Sequence, residues 1–142
     1  MTTSAHEPVR IQAVLDRSAM ESYARGHIHV GELLIDIADE GAHVGVPATA
    51  LLDAHSRALH DEHARALLRV LTTLEGIEIL DLDADVAAAM AGSVPLAKGD
   101  MARAHAAWAA NKHRAYYLTT EPDEAAGLVP VDNIHAMPVH DA

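Results

Sequence analysis

Four carboxylates stand where an α/β protein could put them to chemical use. Asp16 directly follows the apolar run Val9-Arg10-Ile11-Gln12-Ala13-Val14-Leu15, and a helix starts behind it. A carboxylate at the carboxyl end of a strand sits where open α/β sheets place their ligands. Asp53, Asp100 and Glu121 arrive at comparable places further along. Carboxylates gathered on one sheet edge would make a site for a divalent cation such as magnesium, because hard cations prefer oxygen ligands. Each acid also has a plainer role. Asp16 could cap the following helix, and Asp53 could lie on a solvated helix face. Asp100 could complement a helix dipole, and Glu121 before Pro122 could be a turn residue.

Positioning these acids requires alternating strands and helices. After the first strand, Ser18 is the expected N-cap of a short helix reaching Arg25, with Glu21 completing a capping box. Leu33, Leu34, Ile37 and Ala38 recur at helical spacing, so a second helix is expected from Val30 to Glu40. His43 to Val46 reads as a strand. Pro47 opens a helix to His60, and Asp61 caps another that Gly76 ends. Ile77 to Leu80 is the third strand. An Ala-rich helix spans Ala84 to Ala91, and Gly92-Ser93-Val94-Pro95 breaks it. A long helix opening at Lys98 or Gly99 runs to His113. Tyr116 to Thr119 is the fourth strand, Glu121 to Glu124 a helical turn, and Leu128 to Val131 the fifth strand. Strands separated by helices imply a mostly parallel five-stranded sheet covered on both faces, a three-layer α/β/α sandwich. Right-handed crossovers bring the strand carboxyl ends to one edge, so the acids at 16 and 121 should meet there.

The totals fit one domain over 1–142, with 1–8 as a flexible N-terminal segment. Half of the 142 residues are apolar, and the core must be aliphatic, since the chain has no Phe, one Trp and three Tyr. No membrane span and no signal peptide are visible. Cysteine is absent, which excludes disulfides and thiolate metal sites, so a cytoplasmic protein is expected. Asp plus Glu outnumber Lys plus Arg by 21 to 10, which argues against a general nucleic-acid coat.

The order of elements resembles the PIN domain, the ribonuclease fold of VapC-type toxins and related RNA-processing nucleases. Three passages carry the resemblance: Val14-Leu15-Asp16-Arg17-Ser18-Ala19, Val46-Pro47-Ala48-Thr49 leading to Asp53, and Leu118-Thr119-Thr120-Glu121-Pro122-Asp123. It spans about Arg10 to Val139. The resemblance implies a Mg2+- or Mn2+-dependent endoribonuclease in which a metal-bound water attacks a phosphodiester. Asp16, Asp53, Asp100 and Glu121 would hold the metal, and Arg17, Lys98, Arg103, Thr119 and Thr120 would contact the RNA. It also implies an antitoxin partner and a homodimer. Three departures stand out: Asp53 replaces a Glu, Glu121 replaces an Asp, and the family's interval from the last acid lands on Arg103 rather than on Asp100 one turn earlier. The guanidinium of Arg103 could contact RNA phosphate, pair locally with Asp100, or occupy the acidic pocket in place of a metal. The last case makes the chain a non-catalytic relative that binds protein or RNA.

Eleven His give a third, weaker option, a metal- or pH-responsive protein. His55, His60 and His63 are interrupted by Asp61, however, so a shared face is not expected, and His105 with Trp108 reads as a packing pair. No nucleophile elbow, P-loop or dinucleotide fingerprint is present.

Overall fold

The structure, a computed structural model, describes residues 9–139. The expected flexible segment 1–8 lies outside the described residues. The chain runs β1 (Ile11–Leu15), α1 (Arg17–Ala24), α2 (Ile28–Asp39), β2 (His43–Pro47), α3 (Ala48–Arg57), α4 (Glu62–Leu71) and β3 (Ile77–Leu80). It continues through α5 (Ala84–Met90), α6 (Ser93–Leu96), α7 (Met101–His113), β4 (Tyr116–Thr119), α8 (Pro122–Ala125) and β5 (Ile134–Ala136). The strands lie in the order β3-β2-β1-β4-β5, and all pairings are parallel.

This order creates one topological switch point. From β1 the chain moves outward through β2 to β3, then returns to place β4 on the other side of β1. The crevice at the carboxyl ends of β1 and β4 is therefore where an open α/β sheet accepts a ligand. Asp16 follows β1, and Thr120 and Glu121 follow β4, so the topology puts the first and last acids of the set at that crevice. The Asp16 amide donates to the Leu118 carbonyl at 3.1 Å, which ties the two strand ends together.

Two apolar layers hold the sheet. Ala13 and Leu15 of β1 join Met20, Val30, Leu34, Leu68 and Leu71 in one cluster with α1, α2 and α4. Ile11, Val14 and Tyr117 join Ala106, Ala107, Ala109 and Ala110 of α7 in the other. A register shift between Ile11 and Ala13 accounts for Ile11 and Val14 sharing a layer despite their odd spacing. Ala102, Ala104, Ala106, Ala107, Ala109 and Ala110 are all buried, and their small side chains let α7 approach the sheet closely. At Gly45 in β2 a Cβ would stand 2.6 Å from Leu80 Cδ1, so the glycine leaves room for the Leu80 side chain of β3.

Local chemistry corrects several sequence expectations. Asp16, not Ser18, caps α1, its carboxylate accepting from the Ala19 amide at 2.9 Å. Segment 93–96 is a short helix rather than a break, because Pro95 falls within a first turn, where no intrahelical N–H is required. Asp100 caps α7, which starts at Met101 rather than at Lys98 or Gly99. The fifth strand is Ile134–Ala136 and not 128–131. Gly127 at φ +84° turns the chain there, and Pro130 has no N–H to give a ladder. Val129 is buried as a core contact instead.

Candidate functional site

Asp16 is the anchor of the crevice. Its side chain is buried and held by short-range donors: the Ser18 hydroxyl at 2.6 Å and the Ala19 amide. Ser18 uses its one proton on Asp16, so Thr119, 3.1 Å away, donates to Ser18. The Thr120 amide donates to Ser18 Oγ at 2.8 Å, and the Glu121 amide donates to Thr119 Oγ1 at 2.9 Å. This chain of bonds fixes the turn after β4 against the start of α1. Thr119 thus has a wholly internal role.

Two arginines organise the acids around Asp16. Arg17 is buried, and its guanidinium donates to Glu121 at 2.7 Å, contacts Glu21 closely, and lies 3.6 Å from Asp53. Arg103 reaches Asp100 at 3.0 Å, Glu121 at 3.2 Å and Glu124 at 3.8 Å. Asp53 also pairs with Arg57 at 3.3 Å. Glu121 is the hub, since one of its oxygens takes both guanidiniums. Asp53, Asp100 and Glu121 are therefore linked through cations, and Asp16 lies behind them without an ion pair among the described residues. Lys98 is at φ +56° in the bend before α7, beside the cavity that Arg103, Asp123 and Glu124 also line.

The two end acids differ electrostatically. For Asp16 burial is the largest influence and raises the carboxyl above its ordinary range, against the bonds from Ser18 and Ala19. For Glu121 burial also pushes upward, but the bonds and charges of Arg17 and Arg103 outweigh it and hold the carboxyl low. Burial works against the charge on Arg17, and Glu121 and Glu21 more than restore it. The Tyr117 hydroxyl is buried with no well-formed hydrogen bond among the described residues. Burial and the neighbouring Asp16 push that phenol far above its ordinary range.

This donor set does not fit a divalent cation as it is arranged. Among the described residues no three His, Cys, Asp or Glu side chains form a group able to hold one. The space bounded by Asp16, Arg17, Asp100, Ala102 and Arg103 is about 10 Å³, room for one water at most. Hard cations need several oxygen ligands at once, and here the ion-paired carboxylates are turned to guanidiniums. Beside this space lies an open cleft of about 480 Å³ lined by Thr49, Leu52, Asp53, Ser56, Asp100, Met101 and Ala102. Leu52 and Met101, 69% and 63% exposed, give it apolar walls.

Solved structures with the same architecture decide the fold. VapBC2 from Rickettsia felis, determined bound to a promoter DNA fragment, superposes with a TM-score of 0.62 over 84% of this chain and 96% of that one, at 12% identity. PAE2754 from Pyrobaculum aerophilum superposes with a TM-score of 0.53 over 87% of this chain and 85% of that one, also at 12% identity. The fold is that of a PIN domain. No family model and no curated protein matches the sequence. At such low identity the likeness speaks for the PIN architecture alone, and the role of each side chain rests on the geometry above.

Three residues of this PIN crevice were not foreseen as parts of it. Ser18 was read as a cap, Glu21 as a capping-box partner, and Tyr117 as strand filler. The spacing of Arg17 and Glu21, one helical turn apart, was a local signal for their pairing. Nothing local announces the reach of Arg17 to Glu121.

Proposed function

We propose that this PIN-like chain is the VapC-like member of a toxin–antitoxin type of pair, and that its acidic crevice recognises a basic segment of a partner protein rather than hydrolysing RNA. The observation that carries this reading is Glu121 Oε1 held by both Arg17 and Arg103. Five carboxylates, Glu21, Asp53, Asp100, Glu121 and Glu124, share three guanidiniums, so negative charge remains around the crevice. The adjoining cleft adds apolar walls from Leu52 and Met101. Acidic rim, apolar walls and a net charge of −11 suit a basic amphipathic segment.

A second reading keeps the endoribonuclease. It is supported by the arrival of Asp16, Asp53, Asp100 and Glu121 around one crevice at the switch point, the place where the fold presents ligands. Magnesium or manganese would then bind only after the arginines turn away, and Arg17, Lys98, Arg103 and Thr120 would be the groups near an RNA backbone.

Calorimetry with manganese separates the two. The first reading expects no saturable heat at millimolar metal for the natural chain, and a new saturable site in Arg103→Asp. Saturable binding to the natural chain that Asp16→Asn abolishes, together with metal-dependent cleavage of end-labelled RNA, would establish the second.

A further inference from the structure

Away from the crevice, the outer faces of α3 and α4 carry a cluster that the acidic site does not use. Arg65 and Arg69 stand one turn apart on α4, and His55 faces them from the last turn of α3. Arg65 Nε donates to His55 Nδ1 at 3.3 Å. Partial burial disfavours a proton on that ring, and the charges of Arg65 and Arg69 add to the effect. No ion pair among the described residues involves Arg65 or Arg69.

This is an unusual arrangement in a chain with 21 acids and 10 Lys plus Arg. Like charges one helical turn apart destabilise a helix, and an acid-rich surface offers many ways to neutralise them. The helix dipole accounts for a cation in a last turn, as at Arg69. It does not account for Arg65, which sits mid-helix and spends its guanidinium on a neutral ring. With Nδ1 accepting from Arg65, the ring proton is on Nε2 at the far edge of the ring, so His55 holds Arg65 in place as an uncharged acceptor.

We propose that His55, Arg65 and Arg69 form an anion site for a phosphate group, carried either by a small phosphate compound or by a nucleic-acid strand. Guanidiniums match phosphate oxygens through paired N–H donors. Two guanidinium forks can serve three oxygens of one tetrahedral anion, whereas a carboxylate offers only two. The bound anion would also remove the repulsion between the two arginines. This site is independent of the crevice and of whether the crevice is catalytic.

The test is a titration of the full chain followed by NMR of the arginine Nε–Hε signals and the His55 ring. Inorganic phosphate is added at constant ionic strength, with chloride as the control. A saturable shift of the Arg65, Arg69 and His55 signals is expected at millimolar phosphate. Each of Arg65→Gln and Arg69→Gln, helical changes outside the core that leave the amide spectrum dispersed, should weaken it by about tenfold or more. A short RNA oligomer that saturates the same signals at lower concentration, with the same sensitivity to the variants, identifies a strand as the source. Saturation by phosphate alone identifies a small compound. Equal, unsaturable shifts with chloride overturn the proposal, as do shifts that survive both substitutions. A response to a glutamate-rich peptide with none to phosphate overturns it as well.

Discussion

Asp16 and Glu121 lie at the same edge of the sheet and meet opposite fates. Burial without a cation raises the Asp16 carboxyl. Its ionised form is thus a cost to the folded chain at neutral pH, and the cost vanishes as pH falls through the raised folded value. Asp16→Asn keeps an oxygen to accept from Ser18 and Ala19 while removing the charge. It should raise the melting temperature at neutral pH by a few degrees, with the gain shrinking in acid. Thermal melts at both pH values check this, and a lower melting temperature at neutral pH would mean that Asp16 is better paired than its burial implies. Glu121 has its carboxyl held low, so its contribution is present above the ordinary carboxyl range and is lost as pH falls through the folded value. Arg17 is the cation on which that contribution rests, buried among Glu21, Glu121 and Asp53. Arg17→Met leaves those carboxylates facing each other, and should cost about 3 kcal/mol near neutrality. Urea denaturation measures it; a loss below about 0.5 kcal/mol would place the group among ordinary surface pairs.

At the scale of elements, α3 and α7 carry Asp53 and Asp100 to the crevice, and one buried polar contact joins them. His105, 1% exposed in the alanine face of α7, meets Thr49 of α3 at 3.0 Å. Burial lowers the His105 pKa from 6.5. The neutral ring is the stable one in the fold, so its stabilisation is complete above the unfolded value. It is lost as pH falls from there to the folded value. His105→Gln should flatten the decline in stability as pH falls below the ordinary histidine value of 6.5, while keeping a partner for Thr49. Denaturation midpoints across that range test it, and an unchanged slope would assign the decline to other groups. The same elements show what a sequence reveals about such a fold. β1, β3 and β4 are short apolar runs bounded by turn residues or acids, and their placement needed no distant partner. His105 was paired with Trp108 on sequence because helical spacing sees only its own helix, and Thr49 lies 56 residues away. Arg17 meets the same limit: its partner across the crevice, Glu121, is 104 residues distant. The last strand was misplaced because Leu128 to Val131 is the more apolar run. The pairing edge that β4 offers goes to Ile134–Ala136, where no proline interrupts the ladder.

At the scale of the molecule, the net charge of −11 and the pairing pattern work against each other. Cations are few, and several are withdrawn into the crevice, where Arg17 and Arg103 are nearly buried. Among the described residues Arg65 and Arg69 form no ion pair. Much of the acidic surface is therefore left to repel itself, on Asp81, Asp83 and Asp85 after the edge strand β3, and on α2 with Glu32, Asp36 and Asp39. Screened repulsion should dominate the salt response, because exposed charges feel added ions far more than the buried guanidinium pairs do. Raising sodium chloride from low to physiological ionic strength should thus increase the melting temperature, although isolated surface ion pairs would predict the reverse. Calorimetric scans in a sodium chloride series give the sign directly. A melting temperature that falls with salt would mean that the crevice pairs, rather than the acidic surface, set the electrostatic balance of the whole domain.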